Sequence, residues 1–417
     1  MRPVKPKLNV AFTGHVDHGK SSLIGRLLLS NGDISEREYE KYTDEATSQG
    51  RADAGLSFIS DERKEERERG LSIAPSFRRL DGSTFDFTLI DCPGHNYYTG
   101  NMIKGVSQAD ATVLVVSAKD GVQPLTKEHA LISNVMSGED LIVTISKMDT
   151  VNFEKSTYEA VREDVAEIME TITDAHEDIT YVPTSATEER NVASNCDPIE
   201  WYDGESLLEQ LEELEEPPER DEDPFRMPVD DKHTMSGIGT TIAGTVRSGG
   251  VRVDQSVVFQ PSGTECEVRS IEMFHETLAK ASARDNVGMN LTGTNTSNVE
   301  PGEVCGNIDD PPSSAAEVVT ELTVVQQPPE IKPGVRIVFH AHSLQTPCEV
   351  MAVETLEEEN GNDSAMNVLA PGETGRVKLR FPRQEAIETF EESPSLGKFL
   401  LRDNNETLGY GKVMELK

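Results

Sequence analysis

The most reactive pattern in the chain stands near its N-terminus, where Gly14-His15-Val16-Asp17-His18-Gly19-Lys20-Ser21-Ser22 fits G-x-x-x-x-G-K-[ST]. Glycines in such a loop let backbone N–H groups wrap phosphate oxygens, and the N-terminus of a following helix adds partial positive charge. Lys20 would neutralise β and γ phosphates while the Ser21 hydroxyl binds Mg²⁺. A second pattern, Asp91-Cys92-Pro93-Gly94, offers an acid that can hold Mg²⁺ through water and a glycine N–H for the γ-phosphate. The third is Ser146-Lys147-Met148-Asp149 with Thr184-Ser185-Ala186. The Asp149 carboxylate can accept a guanine N1–H and N2–H together, which adenine cannot offer. Lys147 would lie along the base, and the Ser185-Ala186 backbone would meet its O6. His95, one residue past Gly94, is well placed to orient a water.

These residues need a scaffold that brings strand ends together. Apolar strand-like runs at Leu8 to Thr13, Thr84 to Ile90, Ala111 to Val116, Leu141 to Ile145 and Tyr181 to Pro183 alternate with helical stretches. That rhythm predicts a doubly wound α/β domain with a mostly parallel sheet. The first phosphate loop follows the first run and leads into Leu23, Ile24, Leu27 and Leu28, a helical spacing. Composition breaks at Glu209 to Pro224, EQLEELEEPPERDEDP, whose prolines stop any helix. Beyond it, short Val, Ile and Thr runs separated by Gly, Pro and Asn read as all-β, with a second break at Asp309 to Ser314. The expected plan is therefore a multidomain α/β plus all-β chain. It has a P-loop domain over 1–223 and two β-barrels over 224–311 and 314–417, since barrel closure removes exposed edges.

Bulk composition narrows the setting. With 75 acidic and 39 basic residues the formal charge is −36, which opposes association with a polyanion at ordinary ionic strength. Either the chain binds no nucleic acid, or it works in high salt, where a Debye length of about 3 Å at 1 M confines repulsion to near neighbours. Dispersal of the acid over the whole chain favours the second, a halophilic setting. No apolar run is long enough to span a bilayer and Met1 to Asn9 lacks a signal-peptide core, so no membrane association and a cytoplasmic location are expected. Five scattered cysteines, Cys92, Cys196, Cys266, Cys305 and Cys348, give no disulfide framework or zinc ribbon. His340 and His342 alternate along a strand-like run and could share one face, but no third metal ligand stands at a suitable spacing.

In order and spacing, GHVDHGKSS, ERERGLSI, DCPGH, SKMD and TSA resemble the elongation factor Tu / elongation factor 1-alpha family of translational GTPases, in its archaeal 1-alpha form or as a divergent halophilic paralogue. The resemblance continues through MSGIGT at Met235, VRSGGVR, VRSIEMFHETL and RDNVGMNL, then IKPGVRIVFHAH, PSLGKF and LRDNNETLGYGKV, so nearly the whole chain is covered. It implies a GTPase domain followed by two β-barrels, with GTP or GDP and Mg²⁺ as ligands. It also implies delivery of aminoacyl-tRNA to the ribosome, a guanine-nucleotide exchange factor, and a monomer. By motif position, His95 would orient the attacking water and Asp17 would support it or Mg²⁺. Val16 and Leu71 would form an apolar gate before His95, and Ser72 would be the switch ligand to Mg²⁺. Glu272, Phe274 and His275 would rim the pocket for the amino acid and terminal adenosine.

The chain departs from the family pattern in four places. Ser21 and Ser72 stand where threonine is usual and keep the hydroxyl; at Ser72 the lost methyl weakens packing of a closed switch. Ser146 replaces an asparagine, and one hydroxyl cannot reproduce an amide's donor and acceptor, which points to weaker nucleotide binding. Asn96-Tyr97-Tyr98 follows His95 where Arg-Asp-Phe is usual. An acidic loop, residues 357–363, also stands where a basic tRNA contact is expected. Three alternatives stay open: a related GTPase of ribosome rescue or termination that binds a tRNA-mimicking protein, one that activates sulfate, or a regulatory protein that holds GTP and hydrolyses it poorly.

Overall fold

The computed structural model describes residues 5–60, 66–67, 72–138, 140–172, 179–193, 197–235, 239–293, 298–325, 330–355, 368–403 and 406–417. Leu71, Cys196, residues 236–238 of the Met235 motif and the acidic loop 357–363 lie outside these. The chain forms two compact units, residues 1–217 and 218–417, divided at the Pro217-Pro218 pair.

Through the first unit run β1 (Lys7–Thr13), α1 (Lys20–Asn31), α2 (Glu36–Ser48), a short α3 (Ser57–Ser60), β2 (Ser76–Asp81), β3 (Asp86–Asp91), α4 (Thr99–Val106), β4 (Ala111–Ser117), α5 (Pro124–Met136), β5 (Asp140–Ser146), α6 (Lys155–Glu170), β6 (Thr180–Pro183) and α7 (Leu207–Glu212). The six strands lie in the order β2-β3-β1-β4-β5-β6. All neighbours are parallel except β2, which pairs antiparallel with β3.

Alternation along β4 shows why both sheet faces are covered. Val113 and Val115 pack with Leu23, Ile24 and Leu27 of α1 and Leu207 and Leu211 of α7. Leu114 and Val116 face the other way, among Ala130 of α5 and Tyr158, Val161 and Val165 of α6. A period of two turned to both faces is what a buried parallel strand requires. The parallel order sends the C-terminal ends of β1, β3 and β5 to one edge, where the loops carrying Gly14, Asp91 and Lys147 emerge. No helix among the described residues is long and apolar enough to cross a membrane.

The second unit is all-β. Strands Arg226–Pro228, Val304–Asn307, Ser256–Gln260, Thr264–Met273, Asn286–Thr292, Gly239–Thr245 and Asp231–Met235 lie side by side in that order, with Glu276–Leu278 added to Thr264–Met273. Phe225, Phe259, Val268, Ile271 and Met289 fill their core. Strands Ser314–Val324, Thr374–Ala386, Leu344–Thr355, Arg336–Ala341, Lys398–Asp403 and Glu406–Leu416 then close a six-stranded barrel, which leaves no open edge. Its core stacks Phe339 on Phe399 at 4.8 Å between ring centroids. Inside this unit Arg226, at the start of the first sheet, donates from Nε to buried Glu388 at 2.5 Å and from Nη1 to the Asp310 carbonyl at 3.0 Å.

Candidate nucleotide site

A cleft of about 430 Å³ opens at the C-terminal edge of the parallel strands. Its walls bring together Asp17, Lys20 and Ser21 of the first motif, Gly94 and His95 of the second, Lys147 and Asp149 of the third, Ala186, and Ser72. Residues more than a hundred positions apart in sequence thus share one wall.

Local constraints explain the phosphate loop. Gly14 has φ +136°, and a Cβ there would fall 2.2 Å from the Val115 carbonyl oxygen, so the loop leaves β1 against β4 only if residue 14 lacks a side chain. A Cβ on Gly94 would fall 2.5 Å from Lys20 Nζ and 2.7 Å from the Gly14 carbonyl oxygen. The bare backbone of Gly94 therefore closes onto the loop beside the lysine ammonium. Lys20 is buried and donates to the Gly14 and His15 carbonyls at 2.9 Å each. Burial pulls its pKa down, opposed by the charge of Asp91.

Asp91, the last residue of β3, is 2% exposed. Its Oδ2 accepts from Ser60 Oγ at 3.0 Å, and its Oδ1 is buried without a hydrogen-bond partner. Burial pushes its carboxyl up, against hydrogen bonds from Ser21 and Ser60 and the charge of Lys20. An orphaned carboxylate oxygen beside a serine hydroxyl fits a hard cation, which prefers oxygen ligands.

Two histidines belong to the loop itself and a third lies behind it. His15 and His18 meet edge to face at 5.3 Å, and His18 Nδ1 lies 3.3 Å from the Val115 carbonyl oxygen. His129, from α5, is also buried. Burial holds His18 at about 4 and His129 at about 3, with the Lys20 charge adding to each, so both rings are neutral near pH 7.

At the far end of the cleft Ser146 Oγ donates to the His18 carbonyl at 2.6 Å, with the Val116 carbonyl at 3.3 Å. The shorter residue at this position thus still ties β5 to the phosphate loop. Lys147 takes a left-handed φ of 58°, which carries its stem over the loop: its Cε and Cγ would lie 3.7 and 4.0 Å from a Cβ on Gly19. Asp149 Oδ1 accepts from Ser185 Oγ at 2.6 Å, and Ser185 Oγ accepts from the Glu188 N–H at 3.1 Å. One hydroxyl occupies one of about four lone-pair sites on a carboxylate, so Asp149 retains capacity for two more donors. Arg26 Nε holds the Ala186 carbonyl at 2.7 Å, which fixes the loop after β6.

His95 caps the short 3₁₀ turn Asn96–Tyr98 with its own imidazole, Nδ1 accepting from the Tyr97 N–H at 3.3 Å. Beyond the motifs, Arg51, Asp53, Ala54, Leu56 and Ser57 also line the cleft. They come from a segment with no phosphate or base signature, and no sequence signal marks them.

Glu272, Phe274 and His275 lie in the second unit, at and beside a hairpin tip. Met273 pairs with Glu276, so Phe274 and His275 are the two turn residues, at φ 48° and 66°. Both left-handed positions suit a type I′ turn, yet neither residue is one of the small or Asx types that favour it. His340 and His342 do not continue one strand: His340 ends within Arg336–Ala341, whereas His342 sits in the following turn at φ 39°. Burial holds them at about 3 and about 4. Among the described residues no cluster of His, Cys, Asp or Glu has the arrangement of a metal site.

Comparison with known proteins agrees with this geometry. The family description Elongation factor Tu GTP binding domain matches residues 5–217, Elongation factor Tu domain 2 matches 239–306, and GTP-eEF1A C-terminal domain-like matches 317–414. Elongation factor 1-alpha of Natronomonas pharaonis is 40% identical over 415 residues, covering 99% of this chain and 98% of that protein. The Methanosarcina mazei protein of that name is 40% identical over 416 residues, 99% of each. Among solved structures, the Ski7 GTPase-like domain of S. cerevisiae superposes with a TM-score of 0.80 at 15% identity, covering 98% of this chain and 97% of that one. Translation elongation factor SelB of Methanococcus maripaludis does so at 0.73 and 20% identity, covering 100% and 80%. The last two share the fold. The expected architecture and the expected GTPase are borne out: this chain belongs to the elongation factor Tu / elongation factor 1-alpha family of translational GTPases, of the 1-alpha type.

Proposed function

We propose that the protein carries aminoacyl-tRNA to the ribosome in its GTP-bound form and is released by hydrolysis. The observation that carries this reading is full-length similarity, at 40% identity, to proteins named elongation factor 1-alpha. In this reading the chain works as three domains, 1–223, 224–311 and 314–417. It acts as a monomer in the cytoplasm and is recharged by an exchange factor.

Within the cleft, residues 14–22 hold the phosphates, with Lys20 against the β and γ oxygens. Lys147, Asp149, Ser185 and Ala186 hold guanine, and Ser146 braces the two loops against each other. Ser21, Ser72 and, through water, Asp91 would hold Mg²⁺, which when bound draws charge off the phosphate oxygens. Gly94 presents its N–H to the γ-phosphate, and His95 orients the attacking water with Asp17 in support. Val16, with Leu71, would form the apolar gate before His95. In the second unit, the hairpin bearing Glu272, Phe274 and His275 meets the aminoacyl end; strain held at a turn is often retained for a contact.

The decisive measurement is GTP-dependent protection of the aminoacyl ester from hydrolysis in molar KCl, with uncharged tRNA as competitor. Protection with GTP and not GDP is expected; no protection at high or low salt would remove the delivery reading. The charge of −36 favours a second reading, in which the partner is a tRNA-shaped protein of rescue or termination. Retention of such a protein, with no ester protection, would select it.

A further inference from the structure

Tyr97 is a large aromatic residue that the fold leaves 78% exposed. Its ring lies on His95, with centroids 5.2 Å apart and planes 14° from parallel, while Tyr98 tilts toward the same imidazole at 6.0 Å. The Tyr97 backbone N–H also donates to His95 Nδ1. These contacts constrain different torsions: the N–H bond sets the direction in which the ring leaves the chain, and the stack sets its plane. The bond also selects a tautomer. A neutral imidazole whose Nδ1 accepts carries its proton on Nε2. That leaves Nε2–H as the donor of the ring, and His95 lines the cleft together with Gly94 and Ser72.

We propose that Tyr97 is a positioning residue for His95, its ring and its backbone N–H together holding the imidazole as an Nε2–H donor toward the attacking water. The proposal rests on the reading that His95 orients that water. It accounts for the Asn96-Tyr97-Tyr98 segment, in which an uncharged stack orients the histidine where a charged pair is usual. An aromatic pair of this kind accounts for about a fivefold effect on a step that needs the ring in place, about 1 kcal/mol at 1.36 kcal/mol per decade.

The test is single-turnover GTP hydrolysis with nucleotide affinity measured in parallel, on the full chain in molar KCl with Mg²⁺. Tyr97→Ala should lower the hydrolysis rate about fivefold with GTP and GDP affinity unchanged, and Tyr97→Phe, which keeps the stack, should restore it. Nitrogen-15 NMR of His95 should show the Nε2–H tautomer in the parent and in Tyr97→Phe. It should show a mixture in Tyr97→Pro, which removes the donating N–H. Unchanged hydrolysis in Tyr97→Ala, a loss in Tyr97→Phe equal to that in Tyr97→Ala, or an unaltered tautomer in Tyr97→Pro would each overturn the proposal. His95→Ala separates the two levels. If it hydrolyses GTP at the parent rate, the role of His95 itself fails; if it is impaired while Tyr97→Ala is not, only the positioning role fails.

Discussion

Acid should unfold this protein through its buried histidines. His18 at about 4 and His129 at about 3 lie in the first unit, and His340 at about 3 and His342 at about 4 in the second. Each is depressed chiefly by burial, so each binds its proton less readily folded than unfolded, where the value is about 6.5. The stability from a depressed group is present above the unfolded value and is lost as pH falls through the folded one. Near pH 5 each histidine has forfeited about 2 kcal/mol, about 4 kcal/mol in each unit, against a total of roughly 5–15 kcal/mol for a domain. Asp91 and Glu303 work the other way, because burial raises them and the folded state takes up their protons first.

The assay is urea unfolding at about pH 7.5, 6 and 5 in molar KCl, read as stability against pH. His340→Leu isolates one group, since His340 is buried and the charge acting on it is that of Arg402 on the neighbouring strand. Removing it should make the slope between about pH 6 and 5 shallower by about 1.4 kcal/mol per unit, the linkage value of one proton. A stability that stays flat over that range, or an unchanged slope in His340→Leu, would refute neutral burial of these rings.

Three other outcomes follow from particular contacts. Asp149→Asn replaces an acceptor-only group by an amide that can also donate, so guanine affinity should drop about a hundredfold and xanthine nucleotides, which offer a carbonyl at position 2, should gain; competition binding reads both, and equal guanine affinity would remove the base role of Asp149. Ser60→Ala removes the hydroxyl on Asp91 Oδ2 and should raise the Mg²⁺ concentration that half-protects bound GDP from release by about threefold to tenfold, with Ser60→Thr restoring it; an unaltered Mg²⁺ dependence would refute the coupling. Arg226→Ala leaves Glu388 buried without its cation and should cost the second unit about 3–5 kcal/mol, visible as a lowered urea midpoint; a loss below about 1 kcal/mol would show that the pair is solvated.

How far the site is legible in the sequence depends on how far apart its parts lie in the chain. The phosphate loop can be read because its signal is local: glycines, lysine and serine stand between an apolar strand and a helix whose spacing shows its buried face. Asp91 and Asp149 can be read because parallel strands end at one edge. Ser60 and Arg51 cannot. Their position depends on Gly25, where a Cβ would fall 2.2 Å from the Leu56 carbonyl oxygen, a close approach that has no counterpart in sequence spacing. His129 is equally silent, since one histidine in an apolar helix carries no mark of the loop it packs behind. The edge strand β2 escapes a reading by apolar runs because Arg78 and Arg79 break its pattern, as charged residues do on an edge that must not pair further. The weakness expected from Ser146 is offset in part, because its hydroxyl reaches the His18 carbonyl at 2.6 Å.

The acidic surface and the buried lysine lead to one more expectation. A charge of −36 acts through solvent and is screened within about 3 Å at 1 M salt, whereas a desolvated contact is screened far less. Lys20 is 6% exposed, so its hold on phosphate belongs to the second kind. A long polyanion is bound through many exposed contacts, and its affinity ordinarily falls with salt as counterions are released. On this chain the same salt also removes the repulsion of the acidic surface, so the two effects oppose each other. GDP affinity should therefore change less than about threefold between roughly 0.2 and 2 M KCl, while aminoacyl-tRNA affinity rises to a maximum within that range and does not fall throughout. Titrations of both ligands across the range test this. A steep loss of GDP binding would show that Lys20 is reached by solvent ions, and a tRNA affinity that only falls would show that the acidic surface lies away from the tRNA path.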